Sequence, residues 1–136
     1  MRYIIALLAI AGIVASTLAL RIHYSMDAPP CDINAHWDCG IVNHSSFSMI
    51  GPIPVAAIGI AGYLALAVLA FARRHILLLL ASGVGLAFAI HLSGIEKNVL
   101  EVWCLYCVIS QAIIALITLL SLAWLAMVQL ARRRTT

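Results

Sequence analysis

Four long stretches with almost no charge determine what this chain can fold into. They run from Tyr3 to Leu20, from Pro52 to Ala72, from Ile76 to Ile95 and from Val102 to Ala131. Each approaches or exceeds the roughly 17 to 25 residues that a membrane-spanning helix needs. The hydrophobic share of 65% also lies above the roughly half that is usual in soluble domains. The sequence therefore predicts an integral membrane protein.

The predicted fold is an all-α, four-transmembrane-helix bundle that forms a single domain over residues 1–136. We place the helices at approximately 3–22, 52–72, 76–95 and 100–131, with an outward-facing loop at 23–51. Arg2 and the apolar run after it resemble a secretory signal, but the run exceeds the ~7 to 15 residues of a signal core. We therefore expect a retained helix. Close helix packing is expected at four glycines, namely Gly59, Gly62, Gly83 and Gly85.

The distribution of basic residues predicts the orientation. Six arginines lie at the N-terminus, between the second and third apolar stretches, and at the C-terminus. Arg21 and Lys97 lie on the opposite side. Because basic residues favour the cytoplasmic side, both termini should be cytoplasmic. All four cysteines then lie on or near the outer face, in an oxidising compartment such as a bacterial periplasm. The net charge of +3 follows from this topology and gives no reason to invoke nucleic acid.

A C-x-x-C pair opens the last apolar run, in the string VWCLYCVIS. Cys104 and Cys107 share one helix face at this spacing, which is typical of a dithiol that cycles through a disulfide. Two cysteines in a membrane helix can also be packing residues. Taken alone, the motif leaves both interpretations open.

A second pair lies in the outward loop. Cys31 and Cys39 would normally form a static disulfide in an oxidising compartment. Together with a C-x-x-C at the same membrane face they favour a relay, because a loop can bring one sulfur to another. A zinc site built from the four cysteines with His36 or His44 is disfavoured, since zinc would hold the loop on the helix permanently.

Three strings carry a family resemblance: CDINAHWDC, then GIVNHSSFSMIGPIPVAAIGIAGY, then EVWCLYCVIS. The chain resembles the vitamin K epoxide reductase family, and within it the short bacterial members without a fused thioredoxin domain. The most specific elements are the loop pair, a serine six residues past its second cysteine, the Gly51-Pro52-Ile53-Pro54 entry to the second helix and the C-x-x-C.

This resemblance implies an enzyme of the bacterial inner membrane, a quinone-dependent thiol:disulfide oxidoreductase that generates disulfides. Electrons would pass from a periplasmic thioredoxin-like, DsbA-like protein to ubiquinone or menaquinone, with no metal. By the same resemblance, Cys31 exchanges with the partner, Cys39 exchanges with Cys104, and Cys107 donates electrons to the quinone. Ser45 occupies the position of the family's loop serine.

Contacts to the quinone are predicted around the C-x-x-C. Gln111 stands where vertebrate members carry a tyrosine, and its side chain can hydrogen-bond a quinone carbonyl. No residue of the second helix matches the quinone-contacting asparagine of vertebrate members. The complete candidate set for the quinone is Gln111, Ser110, Tyr106, Trp103, His91, Phe88, Phe47 and Ser45. The aromatic members can equally form an interfacial belt, and His91 can equally bond a backbone carbonyl.

Two alternatives stay open at this point. A DsbB-type oxidase performs nearly the same reaction, but it carries its C-x-x-C in the first outer loop, the reverse of the order here. A non-enzymatic tetraspan scaffold would hold both cysteine pairs as permanent structural disulfides. A bond between Cys39 and Cys104 would exclude the scaffold.

Overall fold

Four helices and one short hairpin make up the described structure. The computed structural model describes residues 2–24, 49–50, 52–95, 97–98 and 105–135. The helices are α1 (Arg2–Tyr24), α2 (Val55–Phe71), α3 (His75–Ile95) and α4 (Leu105–Thr135). An antiparallel hairpin of two strands, β1 (Met49–Ile50) and β2 (Ile53–Pro54), precedes α2. The all-helical prediction therefore holds for the described residues, apart from this hairpin.

Three of the helices are long and apolar enough to cross a membrane. They are residues Arg2–Arg21 of α1, the whole of α3 and the whole of α4. The other helix, α2, has 17 residues, so at 1.5 Å per residue it spans about 25 Å of a hydrocarbon core of roughly 30 Å. Length and composition thus support three spans within the described residues, and α2 stays a predicted fourth span.

The start of α2 differs from the expectation. The sequence places the prolines at 52 and 54 inside the opening turn of the second helix. In the structure Ile53 and Pro54 pair with the preceding strand, and Pro54 is the N-cap with φ −64° and ψ 141°. The extended backbone that proline readily adopts fits a β-strand as well as a helix cap, so the helix begins at Val55.

Each helix of the bundle packs against two others. Helix α1 packs along both α2 and α4, while α3 packs on another side of α4 and touches α2. The core consists of side chains from all four helices: Ile5, Ala9, Tyr63, Leu66, Ala70, Leu78, Ile113, Ile114 and Ile117. Many large apolar side chains on the outer surface are exposed, for example Leu7 at 67% and Val84 at 71%. Outward apolar faces of this extent fit contact with lipid.

Small residues allow α1 and α2 to approach closely. A Cβ atom added at Gly12 would lie 2.4 Å from the Tyr63 ring, and one added at Gly59 would lie 2.9 Å from Ser16 Oγ. Close packing is thus confirmed at Gly59. It is confirmed at Gly85 as well, where an added Cβ would meet Ile114 at 3.4 Å.

The same prediction is wrong at Gly62 and Gly83, where an added Cβ would find no atom of another helix within 4 Å in the described part of the chain. Gly83 and Gly85 are two positions apart, so they point to different sides of α3, and Gly85 is the one that meets α4. Gly59 and Gly62 are three positions apart and share a face of α2, but only Gly59 lies where that face meets α1 closely.

The turn between α2 and α3 has an arginine in a position that usually holds glycine. Arg73 has φ 56°, in the left-handed region. Its N–H donates to the carbonyl of Ala70 at 3.2 Å, and the N–H of Arg74 donates to the carbonyl of Leu69 at 3.1 Å. These two bonds form a Schellman motif, whose left-handed residue is most often glycine. A residue with a Cβ costs about 1 to 2 kcal/mol in this conformation.

Candidate functional site

Cys107 is the one predicted catalytic residue that lies within the described structure. It is the third residue of α4 and is half-buried. The first turn of a helix leaves backbone N–H groups without helical partners, and the local dipole favours a negative charge such as a thiolate. Cys31, Cys39 and Cys104 lie outside the described residues, so their pairing stays a prediction.

Two hydrogen-bonded pairs of residues join neighbouring helices one turn deeper along α4 than Cys107. Tyr63 Oη of α2 donates to the carbonyl of Ser110 at 2.7 Å and lies 2.7 Å from Ser110 Oγ. Ser93 Oγ of α3 donates to Gln111 Oε1. Residues 110 and 111 of α4 are therefore fastened to α2 on one side and to α3 on the other. We call these four residues, Tyr63, Ser93, Ser110 and Gln111, the polar belt.

Tyr63 is held firmly by its surroundings. Its side chain is only 5% exposed, and its ring lies against the backbone of α1 at Gly12. A buried hydroxyl without a partner costs about 1 to 3 kcal/mol, and here the two oxygen atoms of Ser110 satisfy it. Packing thus aims the hydroxyl group at the residue three positions after Cys107.

Gln111 retains hydrogen-bonding capacity for a ligand. Its side chain is half-buried, and its Oε1 accepts the bond from Ser93. Among the described residues, no hydrogen-bond partner faces its amide nitrogen. A side-chain amide carries two N–H donors, and a quinone carbonyl is an acceptor. Because positions 107 and 111 are four apart in one helix, they share a face. The geometry therefore fits the predicted role of Gln111, which itself stays a prediction.

The structure places the other described candidates at different depths. Phe88 on α3 and Tyr106 on α4 are half-buried, whereas His91 on α3 is exposed. Within the described part of the chain, His91 has no hydrogen bond to a backbone carbonyl, so that alternative finds no support there. Ser110 points its hydroxyl at Tyr63. Trp103, Phe47 and Ser45 lie outside the described residues.

Sequence reasoning missed two members of the belt, Tyr63 and Ser93. Both stand in otherwise apolar stretches and look like ordinary helix residues. The available signal was a hydroxyl group deep in a predicted span, since such groups need a partner in the bilayer. Other hydroxyls in these helices bond their own helix, as Ser121 Oγ does to the carbonyl of Ile117 at 2.6 Å. Tyrosine cannot do so, because its hydroxyl lies too far from its own backbone.

No group of three or more metal-ligating side chains occurs among the described residues. The loop histidines and three of the four cysteines, on which a zinc site would depend, fall outside that part of the chain. The structure therefore adds no support to the zinc alternative.

Comparison with known proteins gives the family. The sequence profile of the Vitamin K epoxide reductase family matches residues 3–131 of the 136-residue chain. A search of curated proteins returned no match. The matched region contains all four helices up to Ala131 and all four cysteines. The chain therefore belongs to the vitamin K epoxide reductase family, whose members are in general membrane oxidoreductases that act on disulfides and are linked to quinones.

Proposed function

We propose that this protein generates disulfides by passing electrons from a thioredoxin-like dithiol protein to a membrane quinone. The partner's two thiols become a disulfide as the Cys31–Cys39 disulfide is reduced to two thiols. Exchange between Cys39 and Cys104 passes the two electrons and two protons to the C-x-x-C pair. Cys104 and Cys107 then form their disulfide while the quinone takes up two electrons and two protons and becomes a quinol.

One observation carries this proposal most directly. Cys107 lies in the first turn of a 31-residue apolar helix, and Gln111 lies one turn deeper on the same face, with no partner for its amide nitrogen among the described residues. A sulfur at the end of a membrane helix belongs to a pair that a water-exposed loop could reach. A donor group one turn further in is placed to orient a lipid-soluble acceptor.

The orientation is part of the proposal. The six arginines at one end of the bundle support an orientation with both termini in the bacterial cytoplasm and the four cysteines on the periplasmic side of the inner membrane. The periplasm is the oxidising compartment in which newly formed protein disulfides persist. As predicted from the sequence, we assign residues 1–136 to a single domain with four transmembrane helices.

The proposed reaction is tested with two electron donors of different size. The purified chain in detergent is supplied with a short-chain quinone and either a reduced thioredoxin-like protein or a small dithiol. Loss of quinone absorbance is followed for the intact chain, for Cys107→Ala and for Cys31→Ala. We expect Cys107→Ala to abolish quinone reduction with both donors. Cys31→Ala should abolish it with the protein donor and retain a large part with the small dithiol, which can reach the C-x-x-C pair directly.

The two donors also separate the alternatives. Family membership sets aside a DsbB-type enzyme. A structural scaffold predicts that no dithiol donor drives quinone reduction and that both cysteine pairs stay oxidised. Equal loss with both donors in Cys31→Ala would contradict the proposed order of the relay.

A further inference from the structure

A cavity of about 350 Å³ lies at the end of the bundle opposite the polar belt. It is formed where α1 begins, where α2 turns into α3, and along the last third of α4. Its volume lies within the roughly 300 to 1,000 Å³ that is typical of small-molecule sites. Its lining consists of Arg2, Tyr3, Arg73, His75, Trp124 and Val128. We call it the basic-end cavity.

Two aromatic contacts frame this cavity. Tyr3 of α1 meets Phe71 of α2 edge to face, with 6.1 Å between ring centroids. His75 of α3 meets Trp124 of α4 in the same way at 4.4 Å. One ring contact joins α1 to α2 and the other joins α3 to α4, so side chains from several helices build the walls of the cavity.

The charged groups that line the cavity have no acidic counterpart among the described residues. All five carboxylate side chains of the sequence lie between residues 27 and 38 or at 96 and 101, so none of the four helices contains Asp or Glu. The Arg2 guanidinium lies 5.0 Å from the centre of the Tyr3 ring, and its Nη2 donates to Tyr3 Oη at 3.2 Å. These contacts hold the guanidinium group on the Tyr3 ring, and no carboxylate within the described ranges offsets its charge.

Arg73 provides the second positive charge from an unusual position. It is the left-handed residue of the Schellman motif, where glycine is the residue without a steric cost. The chain keeps an arginine there, and that arginine lines the cavity. Arg74, its neighbour in the same turn, carries the same charge and does not line it. Either arginine would satisfy the positive-inside rule. The position of Arg73 in the lining of the cavity therefore indicates a ligand of opposite charge.

We propose that the basic-end cavity binds a phosphate group, carried by the headgroup of an anionic phospholipid. Two guanidinium groups suit the oxygens of a phosphate, which they can bind through paired hydrogen bonds. Basic pockets between transmembrane helices at the cytoplasmic surface are typical sites for anionic headgroups. Tyr3 and Trp124 belong to the side-chain types that lie at the level of lipid headgroups, and Val128 offers an apolar contact beside them.

The experiment measures binding by the purified full chain in a neutral detergent. The probes are short-chain phosphatidylglycerol, short-chain phosphatidylcholine and inorganic phosphate, and the readouts are binding affinity and the rise in unfolding temperature. Arg2→Gln and Arg73→Gln should each weaken phosphatidylglycerol binding about fivefold, as expected for one basic residue near a headgroup. Arg74→Gln and Arg134→Gln are matched controls that remove one charge outside the cavity, and they should bind as the intact chain does.

A further variant separates a loss of lipid binding from a failure to fold. Arg73→Gly suits the left-handed conformation, so it should be no less stable than the intact chain without lipid, yet it should lose phosphatidylglycerol binding as Arg73→Gln does. Saturable binding of inorganic phosphate that depends on Arg73, without preference for lipid, would support the phosphate site and assign it to a soluble ligand. Equal weakening in all four glutamine variants, or no saturable binding of any probe, would overturn the proposal.

Discussion

The two ends of the bundle accommodate their polar side chains in opposite ways. At the polar belt, neutral side chains from three helices pair with one another, through Tyr63 with Ser110 and Ser93 with Gln111. At the basic end, charged side chains surround a cavity without any carboxylate among them. Paired neutral groups fix the relative positions of helices, whereas uncompensated charges attract a ligand. The polar belt therefore fixes the positions of the helices near Cys107, whereas the basic end is suited to binding an anion.

The largest expected effect comes from the packing that holds the polar belt. Gly12→Val would place a branched side chain where the Tyr63 ring lies, since even a Cβ would be 2.4 Å away. We expect a loss of about 1 to 3 kcal/mol in the free energy of unfolding, the range for overpacked sites. Denaturant or thermal unfolding in detergent checks this. Gly62→Val is the matched control, because an added Cβ there meets no other helix within 4 Å among the residues that the structure describes. Equal destabilisation by both would contradict the packing described for Gly12.

Removing the Tyr63 hydroxyl should have the next largest effect. Tyr63→Phe keeps the ring against α1 and loses the hydrogen bonds to Ser110, so we expect a loss of about 0.5 to 1.5 kcal/mol in stability. We also expect a lower kcat for quinone reduction, because the first turns of α4 are less well fixed beside Cys107. Ser121→Ala removes a buried hydroxyl that bonds only within α4, and it should leave kcat unchanged. A kcat that falls equally in both variants would contradict a positioning role for Tyr63.

Substitution of Gln111 should change the KM for quinone more than it changes the free energy of unfolding. Gln111→Leu removes the amide donor, and we expect the KM for quinone to rise about threefold to tenfold, as for the loss of one hydrogen bond. The KM for the dithiol donor should not change. Ser93→Ala is the control for the lost contact with Ser93, since it breaks the same bond and keeps the amide. If Ser93→Ala raises the quinone KM as much as Gln111→Leu does, the amide is not the group that meets the quinone.

The smallest expected effect is a gain at the basic end. Arg73→Gly relieves about 1 to 2 kcal/mol of left-handed strain, and the greater freedom of glycine in the unfolded chain offsets about 0.5 to 1 kcal/mol of it. The net result should be about 0.5 to 1 kcal/mol of added stability, measured without lipid. Arg74→Gly, at the next residue of the turn, should give no such gain. A loss of stability in Arg73→Gly without lipid would show that the arginine stabilises the turn itself.

The sequence predicts the helices well and the contacts between them poorly. Long apolar runs set the existence and approximate length of α1, α3 and α4, because every backbone group in a membrane must be bonded within its helix. The hairpin before α2 escaped prediction because the prolines at 52 and 54 are compatible with a strand and with a helix start. The glycines of α2 and α3 marked close packing without showing which of them faces a partner.

The sequence predicts the residues that carry the chemistry of the site, but not the residues that hold them in position. Cys107 and Gln111 follow from their spacing and from the family pattern. Tyr63 and Ser93 belong to α2 and α3, far from Gln111 in sequence, and only the packing of helices brings them to α4. The basic-end cavity was missed because the positive-inside rule already accounts for its arginines. The positive-inside rule explains why an arginine stands at this end of the bundle, but it does not predict which way the side chain lies.

A single-turnover measurement tests the central claim most directly. The chain is fully reduced, freed of reductant, and mixed with excess short-chain quinone in the absence of any donor protein, and quinol is quantified against thiols lost. Four cysteines form two dithiol pairs, so the account predicts two quinols per chain with the loss of four thiols, and none for Cys107→Ala. A reduced chain that keeps its thiols and forms no quinol would contradict the transfer of electrons from these cysteines to a quinone.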